Sequence, residues 1–121
     1  MAGTTKKTCP HRELPYCHVN EVYVDGRLVD VCIYCIHSKI SGRTAFKLPL
    51  SEFPNDLLLS GDPRLNTEMR ISAAALHYPI VVSTRGHIID GCHRIVKARR
   101  QSMLSIQAVS MNDEEILLCV Y

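Results

Sequence analysis

Apolar and polar positions alternate through residues 21–32, EVYVDGRLVDVC, in two runs rich in Val and Tyr that are parted by Asp25-Gly26. Alternation of strand length broken by Asp-Gly predicts a β-hairpin closed by a two-residue turn. Residues 37–45, HSKISGRTA, have no apolar periodicity and read as a connection. An extended segment follows at FKLPLSEF and ends before Pro54, after which PNDLLLSGDPR breaks into turns around a short apolar patch. Asn66 is placed to cap a helix through TEMRISAAAL. YPIVVS reads as a buried strand, TRG as a turn, HIID as a second strand, CHRIVKARRQS as a helix and LSIQAVS as a further strand. Asn112 stands where it would cap a short last helix through DEEILL, although ILLCVY reads equally well as a strand. This order predicts an α+β domain, a mixed sheet with helices packed against it, over residues 46–121. A Cys/His-rich hairpin element and its connection, residues 1–45, precede it.

The chain has 121 residues, 46% hydrophobic and 21% charged, enough for one core and too few for two full domains. Its formal charge of +2 is mild, so any nucleic-acid role rests on a local basic patch. Arg94, Lys97, Arg99 and Arg100 form such a patch on the helix after HIID, and they are read either as a track for a phosphate backbone or as a solvated face. No apolar run is long enough to span a bilayer, and MAGTTKKTCPHR has a basic start without an apolar stretch behind it. A cytoplasmic chain with reduced thiols and no membrane partner is expected.

In that setting six cysteines ask for a metal or a catalytic explanation. Four of them, Cys9, Cys17, Cys32 and Cys35, fall in the first third, while Cys92 and Cys119 stand apart. Zinc takes four thiolate or imidazole ligands in a tetrahedron, delivered by two stretches of chain. Cys9 with His11 supplies one half and Cys32 with Cys35 the other, the hairpin returning the chain between them. Cys17 is an alternative fourth ligand, and buried thiols acting as small hydrophobes are the competing explanation. With four protein ligands such a zinc is structural. A redox Cys-x-x-Cys is less expected, since no helix pattern starts at Cys32 to lower its pKa. Residues 9–35 resemble the small zinc-ribbon-type elements in which Cys-Pro-His precedes a hairpin and a Cys-x-x-Cys.

The second chemical feature is HIIDGCHRIVKARR, residues 87–100. The first amides of a helix lack intrahelical partners and attract anions. Gly91 admits a ligand close to the backbone, and His93 and Arg94 in the first turn add charge-assisted donors for phosphate oxygens. Cys92 at the same place has its thiolate favoured, which makes it a candidate nucleophile. The plainer alternative is an Asp-Gly turn in which Asp90 caps the helix, Cys92 points inward and His93 and Arg94 are solvated.

HIIDGCHRIVKARRQSMLSIQAV resembles the core of the ParB/sulfiredoxin superfamily, with YPIVVSTRG similar to the strand leading into it and FKLPLSEF to the opening strand. The resemblance covers about residues 46–110 and implies nucleotide binding. Gly91-Cys92-His93-Arg94 matches the Gly-Cys-His-Arg by which sulfiredoxins bind ATP phosphates, their cysteine attacking an oxidised peroxiredoxin. Free-serine kinases of the same fold carry Asp-Gly-His-His-Arg, close to Asp90-Gly91 with His93-Arg94. The Gly-Glu-Arg-Arg motif by which ParB proteins bind CTP is absent, as is their helix-turn-helix domain, and Asp90-Gly91 replaces the Gly-Gly of sulfiredoxins. The resemblance implies ATP or another nucleotide with Mg2+, held by Asp90, Gly91, Cys92, His93, Arg94 and Arg64, and an NTPase or phosphotransferase activity. Glu52 or Asp62 would be the base acting on an acceptor hydroxyl. A DNA- or protein-binding module that kept the fold without catalysis is the alternative.

Overall fold

The computed structural model describes residues 19–54 and 67–120. The Asp-Gly hairpin forms as expected, with β1 (Val19–Val24) antiparallel to β2 (Arg27–Cys32). Asp25 and Gly26 both take positive φ, 51° and 76°, whose twist matches that of the flanking strands. The next element corrects the sequence reading. Residues 33–40 form helix α1 (Ile33–Ile40), with Cys32 as its N-cap, so a helix does start at the Cys-x-x-Cys and the connection begins only after Ile40. Its inward residues Ile33, Ile36 and Ile40 follow the i, i+3, i+7 spacing of a helical face.

β3 (Phe46–Pro49) opens the larger sheet and runs into a single 3-10 turn, Leu50–Glu52. Helix α2 (Thr67–Ala73), strands β4 (Ile80–Ser83) and β5 (Ile88–Asp90), helix α3 (Cys92–Arg100) and strand β6 (Ser105–Met111) follow in the expected order. The sheet is mixed, in the order β3-β6-β4-β5, with β6 antiparallel to β3 and parallel to β4, and β4 antiparallel to β5. The fold is therefore α+β. Asn112 caps the last helix, α4 (Asp113–Leu117), in a capping box: its side chain accepts from the Glu115 amide at 2.9 Å while the Glu115 carboxylate accepts from the Asn112 amide at 3.1 Å. The tail then returns to extended pairing, as Val120 bridges Val31, so both readings of ILLCVY hold in part.

Every residue of β4 is buried, because both faces of the sheet are covered. On one face Ile80, Val82, Ile106 and Ala108 pack with Ile95 and Ala98 of α3 and with Leu50 and Phe53. On the other, Val81, Ile89, Val109 and Met111 pack with Val22, Val24 and Val31 of the hairpin, Ile36 of α1 and Ile116 of α4. This second cluster crosses the boundary expected at residue 45. Polar ties cross it as well: Asn20 Nδ2 donates to the Ile89 carbonyl at 3.1 Å, and Arg43 pairs with Glu115 and donates to the Ser110 carbonyl at 2.9 Å. The hairpin and α1 thus form one layer of the same core, which places α1 beside the end of β5.

Candidate functional site

β5 ends at Asp90 and α3 begins at Cys92, so the chain must reverse within Gly91. Gly91 takes φ +126°, and a Cβ added there would lie 2.4 Å from Ile80 Cγ2 and 2.7 Å from Ile80 Cβ. The glycine is required by the turn and by close packing on β4, a different reason from the ligand approach expected from sequence. Its backbone still faces outward on one side, where a cavity of about 430 Å3 opens.

That cavity is lined by His37 of α1, Ala74, Ala75 and Tyr78 between α2 and β4, and Asp90, Gly91, His93 and Arg94 of the turn and first helical residues. Four of the residues expected to bind phosphate therefore share one cavity. His37 and Tyr78 are additions that sequence reasoning missed. His37 was within reach, because Ile33, Ile36 and Ile40 imply the helix that carries it toward β5.

Asp90 is the electrostatic hub. Its Oδ2 lies 2.7 Å from His37 Nε2 and 3.1 Å from Arg94 Nη2. It does not cap α3, whose N-cap, Gly91, has no side-chain partner. The open helix end and the Arg94 guanidinium offset its charge at the cavity wall. Arg94, whose side chain is only 12% exposed, also donates to the carbonyls of Pro79 at 2.6 Å and Tyr78 at 3.2 Å. The guanidinium fork is thus a strut between the β5 end and the loop before β4, with one edge on the cavity.

The rest of the basic helix is used in the same way. Lys97 Nζ donates to the carbonyls of Ser72 and Ala74, 2.7 and 2.8 Å away, neutralising the C-terminal end of α2. Arg99 gathers the carbonyls of Leu50, Phe53 and Pro54 at 3.0, 2.8 and 2.7 Å. Neither of the two expected arrangements of the stripe, backbone track or solvated face, describes these three side chains. They clamp neighbouring segments onto α3, while Arg100 is exposed.

Cys92 is corrected as an activated thiol. Burial first, and then the nearby Asp90 carboxylate, push its pKa up, so the proton is held at neutral pH. It is not among the cavity-lining residues. Iodoacetamide is therefore expected to label Cys92 more slowly than an exposed cysteine at pH 7–8, with the rate climbing only above the ordinary thiol range. Peptide mapping against pH measures this, and fast labelling at pH 7 would contradict it. Glu52 sits exposed in the 3-10 turn after β3 and does not line the cavity either. Asp62 and Arg64 lie outside the described residues, as do Cys9, His11, Cys17 and Asn66, the cap expected for α2.

The remaining thiols lie in the other half of the molecule. Cys32, Cys35 and Cys119 are all buried, and Cys119 Sγ donates to Cys35 Sγ at 2.7 Å. Burial, and then the hydrogen bond with Cys35, push the Cys119 thiol up to about 12. Among the described residues no three Cys, His, Asp or Glu side chains are closed into a metal-holding group. No helix among the described residues is long and apolar enough to cross a membrane. No family model matches the chain, and no match was found among curated proteins or solved structures.

Proposed function

We propose that the protein binds a nucleoside triphosphate with Mg2+ in the cavity at the end of β5. The observation that carries the reading is the convergence of His37, His93, one edge of Arg94 and the open N-terminal end of α3 on a cavity of about 430 Å3, a volume within the range of small-ligand sites. Phosphate oxygens meet the α3 amides and the two imidazoles there. Asp90, already set between His37 and Arg94, is the carboxylate beside which Mg2+ fits. Tyr78, 60% exposed and in ring contact with His77 at 4.4 Å between centroids, offers a face for a base. The resemblance of residues 46–110 to the ParB/sulfiredoxin superfamily supports the same ligand class.

Among the described residues, binding without turnover fits the chemistry better than phosphate transfer. Cys92 keeps its proton, and Glu52 does not line the cavity. A non-catalytic module of the same fold, using the nucleotide to set its contacts with DNA or protein, is accordingly the second reading. A structural zinc on Cys9, Cys32 and Cys35, with either His11 or Cys17 as the fourth ligand, belongs to the proposal as well. It is supported by the burial of both described thiols at the start of α1.

Calorimetric titration with ATP, CTP and Mg2+ tests the site. Wild-type protein is expected to bind, and His93→Ala to weaken the affinity about tenfold, the loss of one charge-assisted contact of roughly 1.4 kcal/mol. No binding of any nucleotide, or equal binding by His93→Ala, overturns the assignment. Parallel assays of phosphate release separate the two readings: turnover favours an enzyme, and binding with no release favours the module.

A further inference from the structure

Cys35 and Cys119 stand 84 positions apart in sequence, yet their sulfurs lie 2.7 Å apart in the fold. Cys35 is in the first turn of α1, and Cys119 follows α4 by two residues. Backbone pairing fixes this meeting: the Cys32 amide donates to the Cys119 carbonyl at 2.9 Å, and Val31 bridges Val120. The segment after α4 is thereby laid along the end of β2, with its cysteine against α1.

A buried cysteine is ordinarily a small hydrophobe, and packed carbon atoms stand about 3.5–4.0 Å apart. Two sulfurs, each larger than carbon, are closer at 2.7 Å than such packing gives. A further approach of about 0.7 Å brings them to the roughly 2.05 Å of a disulfide bond. Both belong to one apolar cluster, which holds the elements that carry them. Cys35 is 7% exposed and Cys119 0%, so a reagent from solvent reaches Cys35 first.

We propose that Cys35 and Cys119 form a reversible disulfide that ties the segment after α4 to helix α1. The oxidant is a small disulfide of the glutathione class. Cys35, as thiolate, attacks one sulfur of the reagent, giving a mixed disulfide and releasing one small thiol. Cys119 then displaces the reagent's second half and forms the Cys35–Cys119 bond. Cys119 holds its proton at neutral pH, so the second step is the slow one, helped by the fixed position of the two sulfurs. Two electrons pass from the cysteines to the reagent, and their two protons end on the two released thiols. His37, two residues along α1 from Cys35, meets Asp90 at the cavity wall, so the bond anchors the helix that carries it there. A zinc on Cys35 uses the same sulfur, so the cross-link belongs to the metal-free chain.

The full-length chain is unfolded in reductant and refolded in a glutathione redox buffer, so that burial sets no limit on access. A metal chelator is present throughout, which makes the outcome independent of the zinc reading. Fragmentation of the non-reduced peptides by mass spectrometry locates the linked sulfurs. Cys35 joined to Cys119 is expected as the main linked species. The linked protein is expected to melt roughly 5 °C or more above the reduced one, since a disulfide closing a long loop constrains the unfolded chain. Dithiothreitol should reverse the gain. Cys119→Ala, which keeps a small apolar group at the position, is expected to melt alike in oxidising and reducing buffer; where it does not fold, the wild-type map decides alone. Cys35 linked mainly to Cys32 or to any other cysteine overturns the proposal. So does a wild-type chain that keeps both thiols free in oxidising buffer, or a linked protein that melts no higher than the reduced one.

Discussion

Replacing Gly91 by alanine is expected to lower the melting temperature by about 10 °C or more. Two costs add. The backbone holds φ +126°, which an L side chain rarely adopts, and forcing it costs about 1–3 kcal/mol. The new methyl also meets Ile80, with Cγ2 at 2.4 Å and Cβ at 2.7 Å, and overpacking a core of this kind costs about 1–3 kcal/mol more. Ile80 cannot yield, because it is fully buried between α3 and the sheet's neighbouring strands. A total near 3 kcal/mol converts to a shift of roughly 10 °C for a domain of this size. Gly86 provides the contrast. It also has positive φ, +88°, but nothing lies within 4 Å of the position a Cβ would take. Gly86→Ala therefore bears the backbone cost alone and should lose about half as much or less. Calorimetric melting of both variants checks the pair. Equal losses, or a Gly91→Ala variant as stable as wild type, would show that the Ile80 contact has been misjudged.

The second large effect is expected at Arg94. Its guanidinium satisfies the Tyr78 and Pro79 carbonyls and pairs with Asp90, which in turn holds His37. Truncation leaves a half-buried carboxylate and two carbonyls short of a donor. Hydrogen bonds to a charged group are worth about 1.5–3 kcal/mol, so Arg94→Ala is expected to cost about 2–4 kcal/mol in denaturant unfolding. Arg94→Lys keeps the charge and loses the planar fork, and so should recover only part of this. Were Arg94 purely a ligand clamp, the alanine variant would keep wild-type stability and lose only affinity. The expected result is the loss of both.

These two residues also explain how far the sequence could be read. The hairpin was legible because Asp25-Gly26 dictates its turn locally, and α4 because Asn112 and Glu115 complete a capping box three residues apart. The strand, turn and helix from Ile88 to Arg100 were legible from local pattern. What escaped was long-range. The requirement for glycine at position 91 comes from Ile80, and the partners of Lys97 and Arg99 are carbonyls 23 to 49 residues away. A stripe of cations reads as a surface until those carbonyls are placed beside it. Helix α1 escaped for another reason: its apolar positions gather in its first half, and His37, Ser38 and Lys39 make its second half look like a loop. With α1 went His37, the residue that brings the hairpin layer to the cavity wall.

Nucleotide binding in the cavity at the end of β5 is tested by backbone amide NMR of the full chain during titration with MgATP. Saturable shifts at Gly91, Cys92, His93 and Arg94, joined by His37 and Tyr78, are the predicted result. No shifts at millimolar nucleotide, or shifts confined to residues away from this cavity, would contradict it.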